Sequence, residues 1–165
     1  MNFFGIYGLN NECLLILENL RLRGHSLYMP IFELLYLHGF RANELQYYKD
    51  WQLQPDNTVI MPTSKRGNAR VIELETLPPL IQESITTGEK LFYLTKYETL
   101  NYYFDRVSPR LYEIGNKNLT THIFRHNRIK QMYNNGYTPE AIQQKFGLQR
   151  ISTVNNYINS QISYR

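Results

Sequence analysis

The side chains best suited to bind an anion are concentrated in the segment His122–His126. Arg125 and His126 follow His122 by three and four residues, so on a helix all three share one face. Arginine donates two parallel hydrogen bonds to phosphate oxygens, and histidine exchanges a proton near pH 7. Two neutral histidines at this spacing also suit zinc, but Arg125 would place a cation between them and no carboxylate completes an HExxH pattern. The segment therefore predicts a phosphate site rather than a metal site.

Three further candidates for chemistry are Arg41, Lys65 and Tyr157. Arg41 follows a glycine that ends a predicted helix, and Glu44 is placed to pair with it. Lys65 lies in a turn between two predicted strands, from which it can reach into a cleft, and Tyr157 lies on the last predicted helix. Taken alone, each has a plain explanation: a weak surface salt bridge, a solvated turn and an ordinary helix tyrosine.

Helices must position most of these side chains. Capping residues and apolar periodicity predict helices that begin near Asn11, Pro30, Pro78, Lys96, Thr120 or Thr121, Pro139 and Ser152 or Thr153, with a further helical pattern over 41–48. In between, the β-branched segments 58–61 and 70–74 are flanked by turn signals, and a short strand begins at Leu53. The pattern predicts one α+β domain over 1–165, mostly helical, with a small antiparallel sheet of two or three strands.

Composition fits such a domain and leaves the partner open. The 165 residues are 42% hydrophobic and 19% charged, which excludes a disordered or low-complexity chain. The single cysteine, Cys13, lies in an apolar run, which predicts a buried thiol and excludes a disulfide framework. A net charge of +4 permits a polyanionic partner without demanding one. Neither a signal peptide nor an apolar span of about 18 residues is found, so we expect a cytoplasmic protein.

The order of these clusters resembles the catalytic domain of the tyrosine recombinases, the phage-integrase family. Its first box, Gly-Leu-Arg-hydrophobic-x-Glu-Leu, is matched by residues 39–45, its β-hairpin lysine by Lys65 and its His-x-x-Arg-His box by residues 122–126. Downstream, the family's spacing is kept by Gly136, Ile142-Gln143, Phe146-Gly147, Thr153 and Tyr157. The resemblance covers about residues 12–157 and implies a mostly helical recombinase-like catalytic domain.

The resemblance also implies a site-specific recombinase or integrase, of the kind that mobile genetic elements carry, which needs no cofactor and no metal. Tyr157 would attack the scissile phosphate and form a 3′-phosphotyrosyl bond, releasing a 5′-hydroxyl. Lys65 would protonate the leaving oxygen, and His122 would accept the tyrosine proton or orient the phosphate. Arg41 and Arg125 would bind the non-bridging oxygens.

Supporting roles follow from the same resemblance. Glu44 would hold Arg41, and His126 would pack beside the catalytic groups. The partner implied is double-stranded DNA, on which copies of the chain would associate as a dimer or tetramer, with no membrane and no small-molecule cofactor. The basic residues expected to contact DNA are Arg66, Arg70, Arg128, Lys130 and Arg150.

The chain departs from the family at three places. Leu148 stands where the family usually has His or Trp, and leucine cannot hydrogen-bond a phosphate. We expect no separate N-terminal DNA-clamping domain. The tail after the tyrosine, residues 158–165, is short for one that docks on a neighbouring protomer.

Two alternatives remain open. The chain could be a recombinase-like regulator or accessory factor that binds DNA with weak or no cleavage. It could instead be a helix-turn-helix protein, since residues 138–147 and 152–158 suit that motif and would make Tyr157 a DNA contact or a core residue. The second alternative gives no role to Arg41, Lys65 or His122.

Replacing Leu148 by histidine tests the first departure. Because one lost oxyanion donor typically costs roughly 10²–10³ in rate, we expect Leu148→His to raise the rate of DNA cleavage, measured as covalent adduct formation. An unchanged or lower rate would mean that the pocket has adapted to leucine.

Overall fold

The computed structural model describes residues 8–25, 27–65, 67–89, 96–114 and 117–164. The α-helices are α1 (Leu9–Leu22), α2 (Met29–His38), α3 (Pro79–Thr87), α4 (Tyr97–Val107), α5 (Ile123–Asn134), α6 (Pro139–Phe146) and α7 (Ile151–Asn159). Short 3₁₀ helices cover Ala42–Asp50 and Leu74–Thr76. The strands are β1 (Gln52–Leu53), β2 (Thr58–Met61), β3 (Arg70–Glu73), β4 (Tyr112–Ile114), β5 (Lys117–Asn118) and β6 (Ile162–Tyr164).

Helix α2 lies at the centre of the main hydrophobic core. Proline at its second residue suits a helix start, and Gly39 ends it in the left-handed conformation at φ 66°. Five of its side chains, those of Pro30, Ile31, Phe32, Leu34 and Leu35, are buried. The helix packs on α1 and α5, and the Phe32 ring meets the Phe124 ring edge to face at 6.1 Å. Cys13 of α1 is buried in this core, as predicted. The continuous apolar pattern of α2 is therefore explained by burial on several sides.

A second, smaller core forms among α5, α6 and α7. It contains Ile129, Met132, Ile142, Phe146, Val154 and Tyr157. Thr138 caps α6 by accepting a hydrogen bond from the Ala141 amide at 3.1 Å, and Gly147 ends the helix at φ 64°. Tyr157 on α7 therefore packs into this second core, which α5, α6 and α7 form together.

The predicted sheet is confirmed as three antiparallel strands in the order β1-β2-β3, with Val59 opposite Ile72. Side chains alternate along β3, so Arg70 and Ile72 are buried while Val71 and Glu73 are exposed. The hairpin between β2 and β3 carries Lys65 at its tip. The α+β class and the mostly helical content are likewise confirmed.

A second three-stranded sheet, in the order β5-β4-β6, was not predicted. Its strands have three residues or fewer and no β-branched run, so their sequences carry too weak a signal. In this sheet Ile114 of β4 pairs with Ile162 of β6. The segment after the last helix is therefore folded back on the same chain.

Helix boundaries differ slightly from those predicted. The segment predicted as helical over 41–48 is a 3₁₀ helix that runs from Ala42 to Asp50, and α5 begins at Ile123 rather than at Thr120 or Thr121. Shifts of this size are expected where a helix end depends on tertiary contacts. Within the described ranges, no helix is both long and apolar enough to cross a membrane.

A buried carboxylate links α1 to the segment before β4. Glu12 is only 3% exposed, and its Oε1 accepts a hydrogen bond from the Leu111 amide at 3.1 Å. Its Oε2 is buried with no hydrogen-bond partner among the described residues. Burial raises the pKa of Glu12 to about 7, against the opposing effect of the Leu111 hydrogen bond.

Glu12 should make stability depend on pH. The folded protein keeps this proton up to about pH 7, whereas the ordinary value is 4.5, so the contribution of Glu12 is complete below pH 4.5 and is lost as pH rises through 7. Glutamine retains an acceptor and never ionises. In urea titrations we subtract the free energy of unfolding of the unsubstituted protein from that of Glu12→Gln. We expect this difference to be more positive at pH 8 than at pH 5 by roughly 2–3 kcal/mol. Histidine titrations are common to both proteins and cancel, and a difference that does not vary with pH would contradict the assignment.

Candidate active site

A buried ion pair between Glu44 and Arg125 organises the site. Arg125 of α5 is fully buried, and its Nη2 donates to Oε1 of Glu44. Its Nε donates to the Gly39 carbonyl at 2.8 Å. The same Oε1 of Glu44 accepts the backbone N–H of Arg41 at 2.6 Å. One carboxylate therefore joins α5 to the chain between α2 and the 3₁₀ helix.

This arrangement differs from the pairing expected from sequence. Glu44 does hold Arg41, but through the backbone amide, because the guanidinium it neutralises is that of Arg125. Within the described ranges no carboxylate pairs with the Arg41 guanidinium, which contacts another partner.

That partner is the tyrosine of the last helix. Nη2 of Arg41 donates to the phenolic oxygen of Tyr157 at 3.0 Å, across 116 residues of sequence. Tyr157 is 8% exposed, and its ring meets the His126 ring at 4.8 Å in an edge-to-face geometry. Nδ1 of His126 lies 3.3 Å from the Ser160 hydroxyl. Two of the residues singled out in the sequence are thus in direct contact.

A cleft of about 520 Å³ opens beside Arg41. It is lined by Arg41 and the 3₁₀ helix after it, by the β2–β3 hairpin, by the turn between α6 and α7 and by the first turn of α7. These segments contribute Arg41, Asn43, Glu44, Gln46, Tyr47, Thr63, Ser64, Lys65, Gly67, Gly147, Leu148, Gln149, Arg150 and Thr153. The structure therefore brings Arg41, Lys65 and Leu148 to one cleft.

His122 lies next to this cleft, immediately before α5. It lines an adjoining depression of about 270 Å³ that shares Asn43 with the cleft. Partial burial, followed by the positive charges of Arg41 and Arg125, lowers the pKa of His122, although its side chain remains open to solvent. The imidazole is therefore neutral at pH 7 and able to accept a proton.

His126 is neutral for a similar reason. Burial lowers its pKa to about 4, with added repulsion from His122, Lys130 and Arg125.

Within the part of the chain that the structure describes, no group of three or more His, Cys, Asp or Glu side chains is arranged to hold a metal ion.

The basic residues expected to contact DNA occupy different environments. Arg150 is exposed and lines the cleft, and Arg128 is half-buried beside α2. Lys130 donates to the carbonyls of Ile158 and Ser160, both at 3.2 Å, and so binds the end of α7. Arg66 lies outside the described residues.

Arg70 differs most from expectation, since it is 3% exposed. Its guanidinium carbon lies 4.3 Å from the centre of the Phe40 ring and 4.4 Å from that of Phe146. Nε donates to the Lys145 carbonyl at 2.9 Å and Nη2 to the His38 carbonyl at 2.8 Å. Burial and repulsion from Arg125 lower the pKa of Arg70 to about 9. Arg70 is an interior side chain that connects β3 to two helix ends, not a surface contact.

Sequence reasoning missed this interior role of Arg70 and the close packing of the hairpin on Gly147. A signal for the first was present, because Arg70 alternates with Ile72 along a strand whose inner face is apolar. A signal for the second was the glycine at the end of α6, a position that also allows close backbone approach.

The Glu44–Arg125 pair should dominate local stability. Removing one partner of a buried pair strands the other charge, so we expect Arg125→Met to lower the free energy of unfolding by about 3–5 kcal/mol in urea titrations. Arg21→Met is the matched control: it breaks the exposed pair with Glu18, whose charges water screens, and should leave the free energy of unfolding almost unchanged. Adding Glu44→Leu to Arg125→Met should recover much of the loss, and equal costs for the two arginines would refute the assignment.

Comparison with known proteins identifies the family and a similar fold. The sequence pattern of the phage integrase family matches residues 11–163. Among solved structures, the chain resembles one described as the crystal structure of XerA recombinase, with a TM-score of 0.61 and 17% sequence identity over 90% of this chain. The match spans 58% of that recombinase, and at this identity it establishes the fold alone. No curated protein matches the chain. On the family pattern, which covers nearly the whole sequence, the chain belongs to the phage integrase family.

Proposed function

We propose that this chain cleaves and rejoins double-stranded DNA at specific sites through a 3′-phosphotyrosyl intermediate. The observation that carries the proposal is the 3.0 Å hydrogen bond from Arg41 to the phenol of Tyr157. The phenol lies beside a guanidinium that no carboxylate neutralises among the described residues. A phosphate bound by that guanidinium would have the phenolic oxygen next to phosphorus.

The proposed reaction balances without an external energy source. The Tyr157 oxygen forms a bond to phosphorus as the bond from phosphorus to the 5′-oxygen breaks. His122, neutral at pH 7, takes the phenolic proton, and Lys65 donates a proton to the departing 5′-oxygen. The reverse steps rejoin the strand, because the phosphotyrosyl bond retains the energy of the original linkage.

Donor groups at the arginines support a phosphate as the ligand. Nε of Arg41 and Nη1 of Arg125 are buried and have no hydrogen-bond partner among the described residues. Buried donors of this kind are rare in folded proteins, and at Arg41, which lines the cleft, one favours a ligand from outside the chain. Nη1 of the interior Arg70 is also unpartnered among the described residues, so the donors alone do not single out the site. The Glu44 carboxylate binds the Arg125 side chain and the Arg41 backbone amide, so one negative charge is set against two guanidinium groups and the site keeps net positive charge for an anionic transition state.

A regulator or accessory factor that binds DNA and hardly cuts it is the second candidate. Leu148 lines the cleft where the family usually supplies a hydrogen-bond donor, which favours a slower enzyme. The helix-turn-helix alternative assigns no purpose to the Arg41–Tyr157 contact and is therefore the weakest. In either of the first two roles, the chain would act on cytoplasmic DNA and associate with further copies there.

Covalent capture separates these functions. The protein is incubated with a pool of nicked duplexes of randomised sequence, and adducts that survive detergent are counted on denaturing gels. We expect an adduct with the unsubstituted protein and none with Tyr157→Phe, because phenylalanine lacks the nucleophilic oxygen. Tyr133→Phe, which alters an exposed helix tyrosine, should retain the adduct. An adduct that persists in Tyr157→Phe contradicts the proposal, and tight binding without any adduct supports the regulator.

A further inference from the structure

The tip of the β2–β3 hairpin packs against the backbone at the end of α6. A Cβ atom at Gly147 would overlap the carbonyl oxygen of Asn68 and lie 3.1 Å from the carbonyl carbon of that residue. From the other side, a Cβ at Gly67 would lie 3.4 Å from the carbonyl oxygen of Gly147. The two segments therefore approach at a distance that leaves no room for a side chain at Gly147.

Arg70 fixes the base of the same hairpin to the same helix end. Its Nε donates to the Lys145 carbonyl, two residues before Gly147. Its guanidinium lies between Phe40 and Phe146, whose rings hold it in place. Because Arg70 is buried, this connection excludes water and is stronger than an exposed contact.

Both contacts are made by residues that closely follow Lys65 in the chain. The lysine precedes Asn68 by three residues and lines the cleft that also contains Arg41. Within the tip, the Ser64 hydroxyl accepts the Gly67 amide at 2.5 Å, so the turn holding the lysine has an internal hydrogen bond. Because this hydrogen bond links the residues on either side of Lys65, we expect a displacement of Asn68 from Gly147 to shift the lysine as well.

We propose that Gly147 is a positioning residue for Lys65: its missing side chain lets the hairpin tip dock on the end of α6 and places the lysine where the leaving oxygen departs. Arg70 secures the base of the docked hairpin. The inference rests on the proposed function, in which Lys65 gives a proton to the 5′-oxygen as its bond to phosphorus breaks.

Changing the leaving group of the DNA tests whether Gly147 acts through proton donation by Lys65. When sulfur replaces the bridging 5′-oxygen, the departing group is a thiolate, which is stable near neutral pH and needs no proton. A variant whose only defect is a misplaced Lys65 should be slow on oxygen-containing DNA and recover on sulfur-containing DNA. A defect in binding the non-bridging oxygens, as in Arg41→Ala, should remain on both substrates.

Gly147→Ala is the variant and Gly88→Ala its matched control. Both glycines end helices with positive φ, 64° and 77°, so alanine strains the two backbones alike. Among the residues that the structure describes, a Cβ at Gly88 would meet nothing within 4 Å, whereas one at Gly147 would displace Asn68. The difference between the two variants therefore reports the contact with Asn68.

We expect Gly147→Ala to slow adduct formation on oxygen-containing DNA by at least about 10²-fold, as Lys65→Ala does. On sulfur-containing DNA both variants should return to within about tenfold of the unsubstituted protein, and Gly88→Ala should be near normal on both. Should Gly147→Ala fail to fold, Arg70→Met, which keeps an apolar chain between the two rings, should give the same sulfur rescue. Equal slowing on both substrates, or no slowing on oxygen, overturns the proposal.

Hydrogen exchange keeps the docking testable without catalysis. Amides over 67–70 should exchange faster in Gly147→Ala than in Gly88→Ala. If the unsubstituted protein forms no adduct on either DNA, the proposed function fails, and this measurement alone decides the docking. Unchanged exchange over 67–70 would then overturn it.

Discussion

The carboxylate of Glu44 is the group on which the site depends. Taking a carboxylate and a guanidinium out of water is costly unless each is paired and hydrogen-bonded. Glu44 meets that condition by accepting from the Arg125 side chain and from the Arg41 backbone with one oxygen. The carboxylate neutralises the buried Arg125 guanidinium and leaves the Arg41 side chain to donate to Tyr157.

Helix ends make the remaining interior cations tolerable. The last carbonyls of a helix have no partner within the helix and carry partial negative charge. At the end of α2, Arg125 binds the Gly39 carbonyl and Arg70 binds the His38 carbonyl. Arg70 also binds the Lys145 carbonyl at the end of α6. The Phe146 ring contacts both guanidinium groups, at 4.4 Å from Arg70 and 5.2 Å from Arg125. The two buried arginines thus donate hydrogen bonds to helix-end carbonyls that have no acceptor role within their own helices.

Local patterns predicted most of the fold, and only a resemblance predicted the site. The glycine that ends α2, the cap and proline of α6 and the β-branched strands are signals contained within a few residues. The partner of Glu44 is 81 residues away, so no local pattern distinguishes Arg125 from the nearer Arg41. Taken singly, Arg41, Lys65 and Tyr157 suit solvated surface positions, and the order of the family boxes was the one indication that they converge. The burial of Arg70 and the second sheet depend on contacts between distant segments, which a single sequence does not display.

The contact between Arg41 and Tyr157 also has a consequence for how the protein is made. Arg41 and Tyr157 are separated by 116 residues in the sequence. Because ribosomes add about 5–20 residues per second, Arg41 is synthesised roughly 6–23 s before Tyr157. During that interval the nascent chain holds one cation without its aromatic partner. Bringing such distant segments together is entropically slow. Translation itself therefore delays assembly of the reactive pair until the last helix has left the ribosome, and a message cut short upstream of that helix yields a chain with no nucleophile.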